Sequence, residues 1–313
     1  MSARGSHIEL NPQWLDRGRH IGLLHQGFRG HWNHAAYDWY IARPFRGIES
    51  DTFVVADGQR ALSVMTVCHR QIGTDTSGPV DVGVMSSAAT LASERGRGHY
   101  GRLLEAAREQ ALTRGYAALL GFVMRDNTSG RGLLRRGARA IPSFYVVSPP
   151  GRRAQRHPGR HGATHMTAER AAADFARCAQ RAAAGIQGVR FLYERADDWR
   201  RQFFQRVNPV RVLRLTHDSL ALLETVGGTD RLQWLAAPRA KVTASITSLA
   251  SGSAAAGRQF FLYTLDPLLA AAAKRIGLAI RPGYLMLWPT GHAADAWRAA
   301  SCAPWTVHSG DRL

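Results

Sequence analysis

The sequence predicts an α/β fold arranged as two unequal halves, and three observations carry that expectation. Runs rich in β-formers alternate with segments of helical periodicity, a Pro/Gly/Arg-rich stretch interrupts them from Pro149 to His165, and part of the element order before it recurs after it. The chain of 313 residues is about twice a common single domain, which agrees with two units. The expected division is residues 1–148, a basic linker at 149–166 with almost nothing to bury, and residues 167–313.

In the first half, Thr52–Ala56 and Ala61–Val67 are β-rich runs around Asp57-Gly58, the strongest short hairpin signal. Val80–Thr90 is a further extended stretch. Tyr100, Leu103, Leu104, Ala107, Ala111 and Leu112 then recur at three- and four-residue spacing, one face of a helix, with Gly115 placed to terminate it. Tyr116–Met124 reads as a buried strand, Thr128–Arg136 as a short helix closed by Gly137, and Ile141–Ser148 as a strand.

In the second half, Ala168–Ala184 and Asp197–Arg206 read as helices, and Val210–Thr216 and Ser219–Val226 as a hairpin around His217-Asp218. Strand Gln259–Thr264 leads into Asp266-Pro267, a helix N-cap followed by proline in the first turn, and that helix ends at Gly277. Tyr284–Trp288 is the last strand. The halves rhyme: Asp38-Trp39 precedes the first hairpin and Asp198-Trp199 the second. Strand Leu119–Val123 with its helix ending at Gly137 matches Phe260–Tyr263 with its helix ending at Gly277. The second copy is shorter in its middle, where the counterparts of strand 80–90 and of the helix from His99 belong.

Composition narrows the function. With 45% hydrophobic and 20% charged residues the chain builds an ordinary core, which excludes wholesale disorder. No apolar run approaches the ~20 residues of a membrane-spanning helix, and Met1–Leu10 has no secretory pattern, so the expected location is the cytoplasm. Cys68, Cys178 and Cys302 are too scattered for a disulfide framework or a metal site, and the histidines lack metal-ligand spacing, so no metal is expected. The net charge of +18 is almost all arginine, Lys241 and Lys274 being the only lysines. That skew fits GC-rich codons, and the charge is spread without basic and aromatic residues interleaved on one element, which argues against a nucleic-acid role.

The segment that carries chemistry is Arg95-Gly96-Arg97-Gly98-His99-Tyr100-Gly101, between strand 80–90 and the following helix. Glycines let backbone approach a ligand closely, and the first amides of a helix lack internal partners. The site therefore suits a pyrophosphate, with Arg95 and Arg97 adding positive charge. Gly96, Gly98 and Gly101 also satisfy a dinucleotide fingerprint formally, but that motif normally follows the first strand of a parallel sheet. No P-loop lysine motif is present.

In this order the segment resembles the acyl-CoA motif of the GNAT superfamily of N-acyltransferases, [RQ]-x-x-G-x-[GA], with Arg95 and Gly98 matching and Tyr100 standing where glycine or alanine is usual. Asp126-Asn127-Thr128-Ser129 through Gly137-Ala138 resembles the family's asparagine, short helix and terminal glycine, so the likeness covers about residues 20–148. It implies a mixed, mostly antiparallel central sheet flanked by helices, with a smaller degenerate second copy that binds no CoA. It also implies acetyl-CoA or another acyl-CoA as co-substrate, bound by Thr90, Leu91, Arg95, Gly96, Arg97, Gly98, His99, Tyr100, Gly101 and Asn127. A primary amine of a small molecule or peptide would attack the thioester directly. An acidic acyl carrier protein as acyl source, a non-catalytic acyl-CoA sensor, and a monomer or homodimer remain open.

The family's usual thiolate donor is a tyrosine on the short helix after Asn127, where this chain has Leu133 and Leu134. Tyr100 and Tyr145 are the substitutes. Asp81, Ser86, Ser87 and Asp126 are candidate bases, against structural roles for Asp126 as a cap, Asp81 at a strand end and Ser86 bonded to backbone. His31, Trp32, His34, Tyr37 and Trp39 form an aromatic cluster placed near the acceptor cleft, with core packing as the alternative.

Overall fold

A computed structural model describes residues 5–28, 32–73, 78–149, 174, 177, 188–290, 305–307 and 309–311. Most of the expected linker and of helix 168–184 lies outside the described residues, as do His31, Cys178, Trp297 and Cys302.

Strand β1 (His7–Leu10) and helix α1 (Arg17–Gly27) open the chain, followed by α2 (His34–Tyr37), which runs into a π-helical turn at Asp38–Ala42. Strands β2 (Asp51–Asp57), β3 (Arg60–Gly73) and β4 (Val80–Thr90) form a meander, with Gly58 at φ 57° in the first turn. Helix α3 (His99–Thr113), β5 (Ala118–Met124), α4 (Thr128–Leu134) and β6 (Arg139–Val147) complete the first half. The expected α3 stripe is the face that packs: Leu103, Leu104, Ala107 and Ala111 are buried against Phe53, Met65 and Leu119, while Leu112 stays exposed.

After residue 187 come β7 (Val189–Phe191), α5 (Ala196–Trp199) with a second π-helical turn at Arg200–Phe204, β8 (Val210–Thr216), β9 (Ser219–Val226) and β10 (Thr229–Ala236). Helix α6 (Val242–Ala255), β11 (Gln259–Thr264), α7 (Pro267–Arg275), β12 (Ala279–Pro289) and the short β13 (Trp305–Thr306) follow. The single helix expected over Asp197–Arg206 is thus an α-turn that widens into a π-turn. Asp266 accepts from the Leu268 amide and caps α7 as its sequence predicts.

The sheet is mostly antiparallel, and its order is β1-β2-β3-β4-β5-β12-β6-β11-β10-β9-β8, with β7 beside β3 and β13 beside β7. Strand β12 lies between β5 and β6, pairing Met286 with Gly121 on one side and with Ala140 on the other. Each half therefore lends its last strand to the other. Read with β2–β6 matched to β8–β12, the order from β2 to β8 is the same from either end. In that match β10 and α6 take the places of β4 and α3. The second half is shorter because β9 and β10 are shorter than β3 and β4 and because their links are tighter, Gly227-Gly228 replacing residues 74–79.

Candidate functional site

A pocket opens in the middle of the first half because β4 and β5 part company. They pair in parallel at Val82/Ala118, Gly83/Leu119 and Val84/Leu120, and no further pair forms beyond. A bulge in β4 drives the strands apart: Val64 of β3 faces Ala89 while Thr66 faces Ser86, which leaves one extra residue in β4, and Ser87 sits at φ 52°. The pocket of about 290 Å³ passes through the resulting gap. Toward α3 and α4 it is walled by Met85, Tyr100, Val123, Asn127, Ser129 and Leu133, and toward α1 by Phe28, Trp32, Tyr40, Val84 and Phe122. None of its lining side chains carries a charge.

The glycine turn lies at the α3 end. Gly96 and Gly98 have φ 82° and 78°, a left-handed backbone in which glycine alone is free of strain, and Gly98 is the N-cap with no side chain to satisfy the helix. The amides from Gly96 to Gly101 have no acceptor among the described residues. Beneath the turn the buried Glu94 carboxylate meets Arg97 at 3.1 Å and His99 at 3.5 Å. Arg95 and Arg97 are exposed at its rim. The His99 side chain points inward, so its contribution to a ligand is its amide. These residues fit a pyrophosphate: an array of unpaired N–H groups, a helix N-terminus and two flanking cations.

Tyr100 leaves α3 in the direction of α4. Its hydroxyl bonds Ser129, its ring lies against Gly132, and burial raises its pKa, while Ser129 and the Arg136 charge pull the other way. Asn127 accepts from the Ser129 amide at 2.9 Å and caps α4. A tyrosine hydroxyl thus stands beside α4 although α4 has no tyrosine, its own Leu133 being packed in the wall. Arg136 closes this corner, binding Glu105 at 2.7 Å with its guanidinium against Gly101.

Several expected roles change. Asp126 is exposed on a turn outside the pocket wall, and Asn127, not Asp126, takes the N-cap. Asp81 sits at the start of β4, accepting from Gln71 at 2.8 Å with His69 at 3.5 Å, also away from the pocket. Ser86 does line the pocket, and its hydroxyl partner is Ser87 Oγ at 3.1 Å rather than backbone. Thr90 Oγ1 is tied to Ser63 at 2.7 Å and the Leu91 amide donates to Leu62, which occupies that side chain and that amide; the stretch of β4 that lines the pocket is Val84–Ala88. Tyr145 is buried against Tyr263 in the core and does not line the pocket.

From the aromatic cluster, Trp32 lines the pocket, Trp39 is buried and His34 is exposed. Sequence reasoning did not single out Tyr40, Phe28 or Phe122, which complete the aromatic wall. The spacing of Tyr40 from Trp32 gives no hint, because the π-turn at Asp38–Ala42 rotates it into line.

Among known structures the likeness is one of fold. The chain superposes on a GCN5-related N-acetyltransferase from Anabaena variabilis with TM-score 0.63 and 12% identity, covering 90% of this chain and 72% of that one. It also matches Eis1 from Mycobacterium abscessus at 0.53 and 14%, covering 94% and 76%. Saccharomyces cerevisiae N-myristoyltransferase with bound myristoyl-CoA matches at 0.62 and 10%, covering 90% and 82%. No family model and no curated protein sequence matches the chain. The fold is that of the GNAT superfamily, a mixed sheet flanked by helices. Among the described residues no group of side chains has the makings of a metal site, and no helix is long and apolar enough to cross a membrane.

Proposed function

We propose that the protein is an N-acyltransferase that moves an acetyl or longer acyl group from acyl-CoA to a primary amine by direct attack. The observation that carries this reading is the continuity of two features: a turn of unpaired amides at Gly96–Gly101 and an uncharged passage through the sheet beginning at Tyr100. The amides hold the pyrophosphate, the unpaired edge of β4 at Met85–Ala88 aligns the thioester, and the amine enters from the Trp32/Tyr40 side. As the C–N bond forms and the C–S bond breaks, the Tyr100 hydroxyl gives its proton to the departing thiolate, and the proton lost by the amine returns through water. Burial suits Tyr100 to that role, because it keeps the phenol protonated.

The reading extends to the whole chain as a tandem arrangement in which residues 167–313 form the degenerate copy. The symmetric strand order supports it. The link from β10 to α6, residues 237–241, contains no glycine, so that copy has no turn of the Gly96–Gly98 kind and serves to shape the cleft. The test is binding of acetyl-CoA followed by turnover of an amine panel. Gly98→Glu, which puts a carboxylate on the anion site, is expected to abolish acetyl-CoA binding with the fold retained; undiminished binding would overturn the assignment.

A further inference from the structure

On the sheet face turned toward α2, one step beyond the pocket wall, lies a concentration of arginine. Arg70 of β3 is 2% exposed, one of the largest fully buried side chains among the described residues. Its Nη1 donates to the His69 carbonyl, and its Nε is buried without any partner. Arg43 donates to the Arg201 carbonyl and to Gln202 Oε1, both at 2.7 Å. Arg206 lies on the Trp39 ring at 4.1 Å, as does Arg43 at 4.1 Å. Only Arg206 has a carboxylate, Glu224 at 2.9 Å; among the described residues neither Arg43 nor Arg70 has one. Nearby Arg46 is already satisfied by Asp198 at 2.9 Å and Glu194 at 3.3 Å.

A buried guanidinium without a counterion is among the most costly arrangements a core holds. Burial and the Arg70 and Arg206 charges push the Arg43 pKa well down. Its position links it to the pocket. Arg70 pairs across the ladder with Val82, and the pocket wall begins at Val84, two residues or roughly 7 Å along the strand. An edge-on chain of rings runs from the pocket toward the cluster: Trp32 to Tyr40 at 5.8 Å, then Tyr40 to Trp39 at 4.6 Å, with Arg43 and Arg206 over the Trp39 ring.

We infer that Arg43 and Arg70 form a carboxylate-binding site, and that the amine acceptor carries a carboxylate which docks there while its amino group reaches the pocket. The second part rests on the acyltransferase reading; the first does not. The acceptor is thus an amino acid-like or peptide-like molecule with its amine several bonds from the acid. The uncharged pocket suits this polarity, since it offers nothing to hold an ammonium group.

The test uses the full chain and ω-amino acids from glycine to 6-aminohexanoate, each beside its own amide, at fixed ionic strength. Binding is followed by calorimetry without acetyl-CoA and again with it. The expected result is that at least one acid binds tenfold or more tightly than its amide, and that Arg70→Met removes the difference while leaving acetyl-CoA affinity unchanged. Unliganded Arg70→Met is expected to melt no lower than the parent, because it removes an uncompensated charge; Arg43→Gln, partly exposed, serves as the second variant. Equal binding of acid and amide throughout the series overturns the site, as does a preference that survives both variants. Failure of acetyl-CoA to bind would overturn the acyltransferase reading instead, with the acid–amide comparison made in its absence still deciding the carboxylate site.

Discussion

Replacing Tyr100 separates the two things its side chain can do in the pocket. Its hydroxyl bonds Ser129, and its ring fills the space between α3 and α4 beside Gly132. Tyr100→Phe keeps the ring and removes the proton. A neutral hydrogen bond is worth about 1 kcal/mol, so the variant is expected to remain folded with only a small drop in midpoint. Loss of a general acid costs about 100-fold or more, at least ~2.7 kcal/mol of barrier. The expected outcome is therefore a kcat about 100-fold lower with the acetyl-CoA dissociation constant within threefold of the parent. Because burial raises the phenol above its ordinary value of 10, the parent kcat has no descending limb from Tyr100 between pH 7 and 9. Steady-state kinetics with equilibrium binding by calorimetry measures both quantities. A Phe variant that keeps its kcat within threefold refutes the proton-donor role. Tyr100→Ala probes the ring itself: tighter acetyl-CoA binding would show that the ring obstructs the passage, and the chain would then be a gated binder rather than a transferase.

Other expectations concern the frame. Gly98→Ala meets no atom within 4 Å of its new Cβ, so its cost is the left-handed backbone alone, about 1–2 kcal/mol, visible as a midpoint a few degrees lower in thermal unfolding. Gly283→Ala places a Cβ against the Tyr145 ring and 2.9 Å from the Val123 carbonyl, where β12 squeezes between β5 and β6. It is expected to destabilise by about 3 kcal/mol in urea titration, against nearly none if β12 were an edge strand. Asp51→Ala strips the buried acceptor that Arg114 holds at 2.5 and 2.7 Å and should cost about 3 kcal/mol in the same titration, joining as it does β2 to the end of α3. His20 is buried with its pKa lowered by desolvation to about 4, so the folded state binds fewer protons there than the unfolded state. Its contribution is complete above about pH 6.5 and lost as the pH falls toward 4, on the order of 3 kcal/mol, and His20→Leu should flatten that part of the stability–pH curve.

What was legible in the sequence was local. The α3 stripe, the cap at Asp266, and the glycine turn each depend on residues within a few positions of one another, and each stands where its pattern places it. The pocket was not legible in this way. It arises because β4 carries one residue more than β3 opposite it, a count that two strands make together and neither displays alone. The same holds for Tyr100, whose partner Ser129 is supplied by another helix, and for Arg70, which occupies an ordinary alternating position in β3 and becomes unusual only when folding buries it.

The exchange of β6 and β12 explains why the two halves need each other although only one carries the glycine turn. β5 is the strand whose far end must diverge from β4, and a strand that loses its ladder on one side needs a full ladder on the other. β12 provides it, pairing from Met124 to Ala118 along the whole of β5. Leu120 and Val84 beside the opening share one cluster with Leu285 and Leu287 of β12 and with Trp199, Phe203 and Trp234. Strand β12 and the packed residues of the second half thus lie against the sheet beside the opening. β10 carries the same device as β4, one extra residue opposite β9 between Leu232 and Trp234, and its pairing with β11 ends at Leu232; what differs is the link that follows, residues 237–241, which is free of glycine.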